Sequence, residues 1–276
     1  MNEPTHARRF GAIWLVATVI ATPLVILLLA PILPPGKSTE QAAGQATDNT
    51  VLLGMATPVL LLVVIYLIYS TIYFRQARGA VLEGPAIRGD ARLQTTWIVI
   101  TSLLVLSLAS YGTVRLLSDN GAGSGSGPSP LTVPQGPKLP VQVIGQQWAF
   151  TYRYPTYGGV EVPHLVLPEG ETIELHVTSL DVIHSFWARQ LALKADANPQ
   201  VDNIAFVEPT RVGQFEVRCS ELCGLWHGEM FDHGRVVTMP EFETWIHQAQ
   251  ATYAPATKLL PPYSTTYLPK PSRRAE

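Results

Sequence analysis

Apolar side chains dominate three stretches of the chain that contain no charged residue, namely residues 10–33, 51–74 and 93–114. Each stretch has at least about 20 residues, which is enough for an α-helix to cross the ~30 Å hydrocarbon core of a bilayer. The pattern therefore predicts transmembrane helices at residues 10–33, 51–74 and 93–115. The first stretch could instead be a secretory signal sequence, although its length favours a retained helix.

Basic residues flank these stretches unevenly. Arg8 and Arg9 precede the first stretch, and the loop between the second and third contains Arg75, Arg78, Arg88 and Arg92. Residues 34–50, by contrast, contain one lysine and two acidic side chains. The positive-inside rule then places residues 1–9 in the cytoplasm as the N-terminus of a multi-pass protein. We expect a prokaryotic cell membrane, with everything after the third helix on its outer face.

Beyond the third helix, the alternation of residue types changes from helical to extended. Residues 119–137 are rich in Gly, Ser and Pro, which predicts a flexible linker and a domain boundary. In residues 138–250 short apolar runs alternate with polar positions, as in Phe150, Tyr152 and Tyr154, and turn residues separate the runs. This spacing predicts a β-sandwich or Greek-key barrel. Pro240 opens a short helix that ends near Ala249, and residues 251–276 are predicted to form an extended tail.

Composition and charge refine this picture. Of the 276 residues, 47% are apolar and only 14% are charged, which is low for a soluble protein and supports the membrane spans. Residues 138–250 carry a net charge of −7, whereas the remainder carries +5. An acidic exported domain suits a cationic partner, with salt-sensitive association.

Candidate chemistry is concentrated in one segment. Cys219, Cys223, His227 and Met230 lie within twelve residues, and His184 lies upstream in a segment that directly follows a predicted strand. Thiolate and thioether sulfurs are soft ligands, so together with imidazole they select copper. A mononuclear blue-copper site uses two His, one Cys and a weak axial Met. The second cysteine permits two sulfur bridges between two coppers, each with one histidine, in a closed site suited to electron transfer.

Other readings of the same residues remain open at this stage. Cys219 and Cys223 could form a disulfide in an exported domain. Two Cys and two His also fit tetrahedral zinc, which would leave Met230 without a role. The remaining histidines of the exported domain are interpreted as surface or hydrogen-bonded residues: His164, His176, His233 and His247.

The motif C-S-E-L-C-G-x-x-H-x-x-M at residues 219–230 resembles cytochrome c oxidase subunit II. The segment D-V-I-H-S-F-W at residues 181–187 and the aromatic segment at residues 147–155 are similar to the same family. The resemblance covers about residues 51–250. It implies a transmembrane helical hairpin, preceded here by an extra N-terminal helix, and then an all-β cupredoxin-like Greek-key barrel.

The resemblance also implies roles for individual residues. It implies a dinuclear copper centre, CuA, with five side-chain ligands: His184, Cys219, Cys223, His227 and Met230. Glu221 matches the residue whose backbone carbonyl binds one copper and whose carboxylate reaches a magnesium ion at the interface with subunit I. Trp148 matches the tryptophan through which electrons enter from cytochrome c. Asp181 resembles an acidic residue near the cytochrome c face, and Asp196 one that faces subunit I.

Several positions depart from the family pattern. Gln94 stands where many relatives have a glutamate at the mouth of a proton path, and a glutamine cannot carry a proton as a carboxyl group does. Ala149 replaces an aromatic residue beside Trp148, and residues 200–201 are Gln-Val in place of Gly-Arg. The motif C-x-x-C-H does not follow the barrel, so the electron donor is expected to be a separate protein or another domain of the complex.

The resemblance implies the electron-accepting subunit of a respiratory oxidase, whose subunit I reduces O2 to water at a haem–copper centre with proton translocation. Two alternatives stay open: the CuA subunit of a nitric oxide reductase and, less expected, a copper chaperone. The expected partners are subunits I and III, cytochrome c and the lipid bilayer. No nucleic-acid partner is expected.

Overall fold

The computed structural model describes residues 3–75, 89–119, 121, 123–127 and 129–259. These residues form two compact units. A helical unit contains the chain up to Ile32 together with Thr47–Arg115, and a β unit contains Leu33–Ala46 together with the chain from Leu116 onward. Much of the predicted arginine-rich loop, including Arg78 and Arg88, and the tail beyond residue 259 lie outside the described residues.

Three long helices cover the three predicted apolar stretches. They are α1 (Glu3–Leu24), α2 (Glu40–Tyr73) and α3 (Ala91–Ser118). α1 continues through a wider helical segment, Val25–Leu29, and a 3-10 turn, Ala30–Ile32. With these turns included, each of the three helices is long and apolar enough to cross a membrane.

α2 begins eleven residues before its apolar stretch because its first turn is capped. The Thr39 hydroxyl accepts a hydrogen bond from the Ala42 backbone N–H at 2.9 Å, which satisfies one of the free N–H groups at a helix start. Hydropathy alone reports only the part of a helix that lies in lipid. The polar turns of α2 before residue 51 were therefore not predicted.

Hydrogen bonds within the helical unit join α2 to both other helices. The Asp48 carboxylate accepts from the Tyr111 hydroxyl at 2.7 Å and from Arg115 Nε at 3.1 Å. The Trp14 indole N–H donates to the Pro58 carbonyl oxygen at 2.9 Å. α1 and α3 therefore each contact α2 through groups that would otherwise be costly to bury in an apolar medium.

The β unit contains two five-stranded sheets with the orders β3-β2-β1-β5-β8 and β4-β10-β9-β6-β7. The strands are β1 (Leu139–Gln146), β2 (Ala149–Tyr154), β3 (Val160–Val162), β4 (Val166–Pro168), β5 (Ile173–Ser179), β6 (His184–Ala188), β7 (Leu193–Ala197), β8 (Asn203–Val207), β9 (Gly213–Cys219) and β10 (Phe231–Val237). β1 runs antiparallel to β2 and parallel to β5, and β10 runs antiparallel to β9 and parallel to β4.

Alternate side chains of these strands build the core, as the pattern in the sequence predicted. Phe150, Tyr152 and Tyr154 of β2 are all buried, and so are Val141 and Val143 of the neighbouring β1. These side chains share one face of each strand, as the pleat requires, although Gln142, Ile144 and Arg153 at the alternate positions are buried as well. The predicted fold class is confirmed in its order of elements, long apolar helices followed by a β domain of two packed sheets.

The Gly/Ser segment after α3 is bound to the β unit, contrary to the prediction of a flexible linker. Gly125 donates its N–H to the Ile204 carbonyl at 2.7 Å, and Asp196 donates its N–H to the Gly125 carbonyl at 3.3 Å. The Ile204 N–H in turn donates to the Gly127 carbonyl. Ile204 belongs to β8 and Asp196 to β7, so this segment bridges the edges of the two sheets. The glycines of this segment allow the close approach to the strands. Their number in the composition had instead suggested a flexible backbone.

The C-terminal helix is longer than predicted. α4 runs over Met239–Leu259, whereas the sequence predicted its end near Ala249 and an extended chain from residue 251. Phe242, Ile246 and Ala249 are buried, and Tyr253 continues this face at helical spacing and contacts the core. Packing of that apolar face thus outweighs Pro255 as a helix breaker.

The connector between α1 and α2 forms part of the β unit. The Thr39 side chain is 1% exposed, and its hydroxyl donates to the Leu191 carbonyl at 3.0 Å. Thr210 donates its N–H to the Ser38 carbonyl at 2.9 Å. A segment that precedes two apolar helices in sequence is therefore built into the β unit.

Candidate metal centre

Strand pairing brings the two candidate ligand segments together. His184 is the first residue of β6, and Cys219 is the last residue of β9. These strands are antiparallel neighbours, with Phe186 opposite Cys219. The loop after Cys219 returns through a 3-10 turn at His227–Glu229, and the Cys219 N–H donates to the Met230 carbonyl at 3.0 Å. The loop is thus closed at its base by the start of β10.

Four sulfur and nitrogen contacts define the centre. The two cysteine sulfurs lie 3.7 Å apart, so both cysteines are free and the disulfide alternative is not realised. Cys219 Sγ lies 3.9 Å from His184 Nδ1, and Cys223 Sγ lies 3.5 Å from His227 Nδ1. Cys223 Sγ also lies 3.8 Å from Met230 Sδ. Each cysteine therefore faces its own histidine, and the thioether stands beside Cys223.

A backbone oxygen completes the donor set. The Glu221 carbonyl oxygen lies 3.2 Å from Cys219 Sγ, and the Glu221 side chain is exposed. Ligand atoms of His184, Cys219 and Cys223 all lie within 4.8 Å of one another, close enough to hold a metal ion. His227 stands outside that group and contacts Cys223 instead. Soft sulfur donors of this kind, with imidazole, fit copper.

Most of the donors are shielded from water. His184, Cys219, Cys223 and Met230 are buried, whereas His227 is half-buried. A closed donor set of this kind suits a redox centre rather than a site that binds small substrates.

The charges around the thiols are arranged asymmetrically. Burial opposes ionisation of Cys219, but the His184 imidazole and nearby backbone hydrogen bonds outweigh it and lower the pKa of Cys219. Burial, and then the charge on Cys219, raise the pKa of Cys223. Burial opposes protonation of His184, but contacts with Cys219 and Asp181 raise its pKa overall. The first thiol to ionise is therefore the one that faces His184.

Trp148, the tryptophan predicted to receive electrons, lies against the loop of residues 220–229 that follows Cys219. A Cβ built on Gly224 would lie 3.3 Å from Trp148 Nε1, so the indole reaches the backbone directly after Cys223. Two features favour glycine at position 224: a side chain would crowd the indole, and the φ of +124° is rarely adopted by other residues. On the other side of the centre, a Cβ on Gly145 would lie 3.0 Å from the His184 ring.

The remaining acidic residues and histidines occupy distinct positions. Asp181 contacts His184 Nε2 at 2.9 Å, and Asp196 accepts a hydrogen bond from the Ser185 hydroxyl at 2.7 Å. The other histidines of the β unit lie outside the cluster, as expected: His164 beside Asp232, His176 beside Glu174 and Asp202, His233 beside Phe231, and His247 beside Gln250.

Gln147 and the two close-packed glycines, Gly145 and Gly224, were not predicted from the sequence as site residues. Gln147 differs from other exposed glutamines only by its position before Trp148. Glycines of this kind signal close backbone approach only when the neighbouring segment is known. The fold supplies that information.

Comparison with known proteins identifies similar chains. A family model described as cytochrome C oxidase subunit II, periplasmic domain, matches residues 162–233. Cytochrome c oxidase subunit 2 of Thermostichus vulcanus is 31% identical over 261 residues, which cover 78% of this chain and 79% of that protein. The Synechocystis protein of the same name is 30% identical over 237 residues, covering 73% and 70%. The crystal structure of the periplasmic domain of subunit II of cytochrome oxidase (CoxB) of Bradyrhizobium japonicum is 31% identical, covers 44% of this chain and 99% of that chain, and gives a TM-score of 0.42.

Proposed function

Because the chain belongs to the cytochrome c oxidase subunit II family, we propose that it is the electron-accepting subunit of a respiratory cytochrome c oxidase. It takes electrons from cytochrome c and passes them to the haem and haem–copper centre of subunit I, where O2 is reduced to water with proton translocation. Its partners are subunits I and III and the lipid bilayer. Enzymatic activity belongs to the complex, and this chain supplies the route by which electrons reach it.

The observation that carries the proposal is the pair of free sulfurs, 3.7 Å apart, each facing a different histidine. Copper held by these thiolates would supply one-electron chemistry. Cys219, Cys223, His184, His227 and Met230 would hold two copper ions, with the Glu221 carbonyl as a further donor. A single tetrahedral zinc would need both imidazoles at one ion, yet His227 lies outside the cluster that His184 forms with the cysteines.

The chain's own residues keep this donor set rigid. His184 and Cys219 stand at the ends of paired strands, and the Met230 carbonyl closes the loop onto the Cys219 N–H. Backbone hydrogen bonds of this kind restrict rearrangement of the ligands when the redox state changes. Trp148, half-buried against Gly224, is the residue through which electrons from cytochrome c enter.

Glu221 has a second proposed role. Its backbone oxygen points towards Cys219 Sγ, while its side chain is exposed. A carboxylate is a hard oxygen ligand of the kind that magnesium prefers. We therefore assign the Glu221 carboxylate to a magnesium site at the interface with subunit I.

We further propose that α1 remains in the mature protein as a third membrane span, with the N-terminus in the cytoplasm. The support is its polar contact with α2: Trp14 donates to the Pro58 carbonyl, and His6 Nδ1 lies 2.8 Å from the Tyr69 hydroxyl. The Phe10 ring also lies edge-on to Tyr69, with ring centroids 6.0 Å apart. A cleaved leader does not need such contacts. Intact-mass measurement of the chain purified from membranes tests this, since removal of α1 would lower the mass by about three kilodaltons.

The functional proposal is tested on the full-length chain purified in detergent with its membrane complex. After subtraction of the one copper in the haem–copper centre of subunit I, we expect two coppers in this chain and an electron spin resonance signal from one unpaired electron shared by both. A His233→Ala variant is a matched control, because His233 lies in β10 outside the cluster and should leave the copper content unchanged. A single copper per chain would favour a chaperone, and a lone zinc would refute the proposal.

Two further measurements sharpen the assignment. Met230→Leu should retain copper but alter its reduction potential, since an axial thioether is a weak tuning ligand. Loss of all copper from that variant would contradict this role.

Uptake of O2 rather than nitric oxide by the purified complex separates an oxidase from a nitric oxide reductase, because that chemistry occurs in the partner chain.

A further inference from the structure

Gln147 occupies a two-residue turn beside the metal centre. The register of β1 and β2 pairs Gln146 with Ala149, so Gln147 and Trp148 form the tip of a tight hairpin. The tip does not project freely into solvent. It lies against both of the loops that carry the candidate ligands.

The Gln147 side chain contacts the first of these loops. Its Nε2 amide group donates a hydrogen bond to the Cys223 carbonyl oxygen at 2.8 Å. A Cβ built on Gly224 would lie 3.0 Å from the same Nε2. The Gln147 amide therefore holds the backbone of Cys223. It also packs directly against Gly224, which has no side chain to separate them.

The Gln147 backbone contacts the second loop. Its N–H donates to Asp181 Oδ2 at 2.7 Å, and the other oxygen of that carboxylate, Oδ1, lies 2.9 Å from His184 Nε2. Asp181 is also held by the Val182 N–H at 2.7 Å. Because Nε2 of His184 meets a carboxylate, its Nδ1 is directed towards Cys219.

We infer that Gln147 is a positioning residue that fixes Trp148 and both ligand loops in one arrangement. The residue after Gln147 is the proposed electron acceptor Trp148, so the same two-residue turn sets the distance from the indole to Cys223. The inference rests on the proposed copper function. It concerns how closely the tryptophan and the ligand loop are coupled, and not whether the metal binds.

The test compares Gln147→Met and Gln147→Glu in the copper-loaded full-length chain. Both substitutions preserve side-chain length and the backbone N–H to Asp181, but methionine has no donor for the Cys223 carbonyl and glutamate has none when it is ionised. Copper content should stay at the wild-type level. The visible absorption and electron spin resonance spectra should change, and the rate of reduction by cytochrome c should fall about ten-fold, as is typical when a group that supports a metal ligand is lost.

Gln146→Met is the matched control. Gln146 is the adjacent residue of β1, and none of the contacts described above uses its side chain, so spectrum and rate should match the wild type. Wild-type spectra and rates in both Gln147 variants would overturn the inference while leaving the copper assignment intact. A wild-type chain without two coppers would instead refute the proposed function, so the two failures are distinguishable.

Discussion

The bridging role of the glycine segment leads to a sharp prediction at Gly125. Its backbone hydrogen-bonds to β7 and β8, and its φ is +80°. A Cβ added there would collide with the Lys194 carbonyl oxygen and lie 3.0 Å from Ala195 Cα. Since both obstacles are backbone atoms of a strand, they cannot rotate away as a side chain could. We therefore expect Gly125→Ala to destabilise the β unit.

The size of the effect follows from two contributions. A non-glycine residue in the left-handed region costs about 1–2 kcal/mol. Forcing an extra carbon into a packed position costs about 1–3 kcal/mol more. The free energy of unfolding should thus fall by about 2–5 kcal/mol, which corresponds to a loss of very roughly 10 °C in Tm for a domain of this size.

Gly127 provides a matched control two residues away. A Cβ on Gly127 would meet nothing within 4 Å, and its φ is not in the left-handed region. Gly127→Ala should change stability by less than about 0.5 kcal/mol. Thermal unfolding of both full-length variants in detergent, followed by near-ultraviolet circular dichroism, measures the difference. Equal melting temperatures for the two variants would refute the reasoning and restore a flexible linker.

Three further predictions concern other residues. Trp148→Ala should slow reduction by cytochrome c in stopped-flow experiments while the copper spectrum persists; an unchanged rate would remove Trp148 from the electron path. Glu161→Ala would leave the Arg153 guanidinium, 4% exposed, without its carboxylate, at a cost of about 3–5 kcal/mol in urea unfolding, and replacing both residues by Met should recover most of it. Hydrogen bonds from Thr238 lower the pKa of Glu241 in the folded state. The ionised Glu241 therefore stabilises the fold above the ordinary carboxyl pKa, and this stabilisation is lost as the pH falls through the lowered pKa. Glu241→Gln should therefore lose less stability on acidification than the wild type, and parallel acid melting curves would contradict this.

The clustering of the candidate ligands was predictable because most of them are close together in the sequence. Four of the side chains lie in residues 219–230, and the mixture of soft sulfur and imidazole favours copper without any knowledge of the fold. Period-two alternation likewise located the aromatic strand, and hydropathy located the three apolar helices. These patterns depend on neighbours in the chain, so sequence alone carries them.

Features that depend on distant contacts were not predictable. Asp48 pairs with Arg115 across two helices, Gln147 hydrogen-bonds to a residue of another loop, and Gly125 sits between two strands that follow it by many residues. In the sequence alone a glycine suggests a flexible backbone. Its role in allowing close packing becomes visible only when the neighbouring segment is known. The full length of α4 was missed because the end of the chain is rich in proline and charge, whereas an apolar face continues along the helix to Tyr253.

The connector around Thr39 has a consequence for biogenesis. Residues 33–46 leave the ribosome well before the strands that later surround Thr39, and α2 and α3 are made in between. The β unit must therefore be completed by a segment that was synthesised before α2 and α3. Soluble fragments that start after α3 lack the partner of the Leu191 carbonyl and expose surface that the native protein covers.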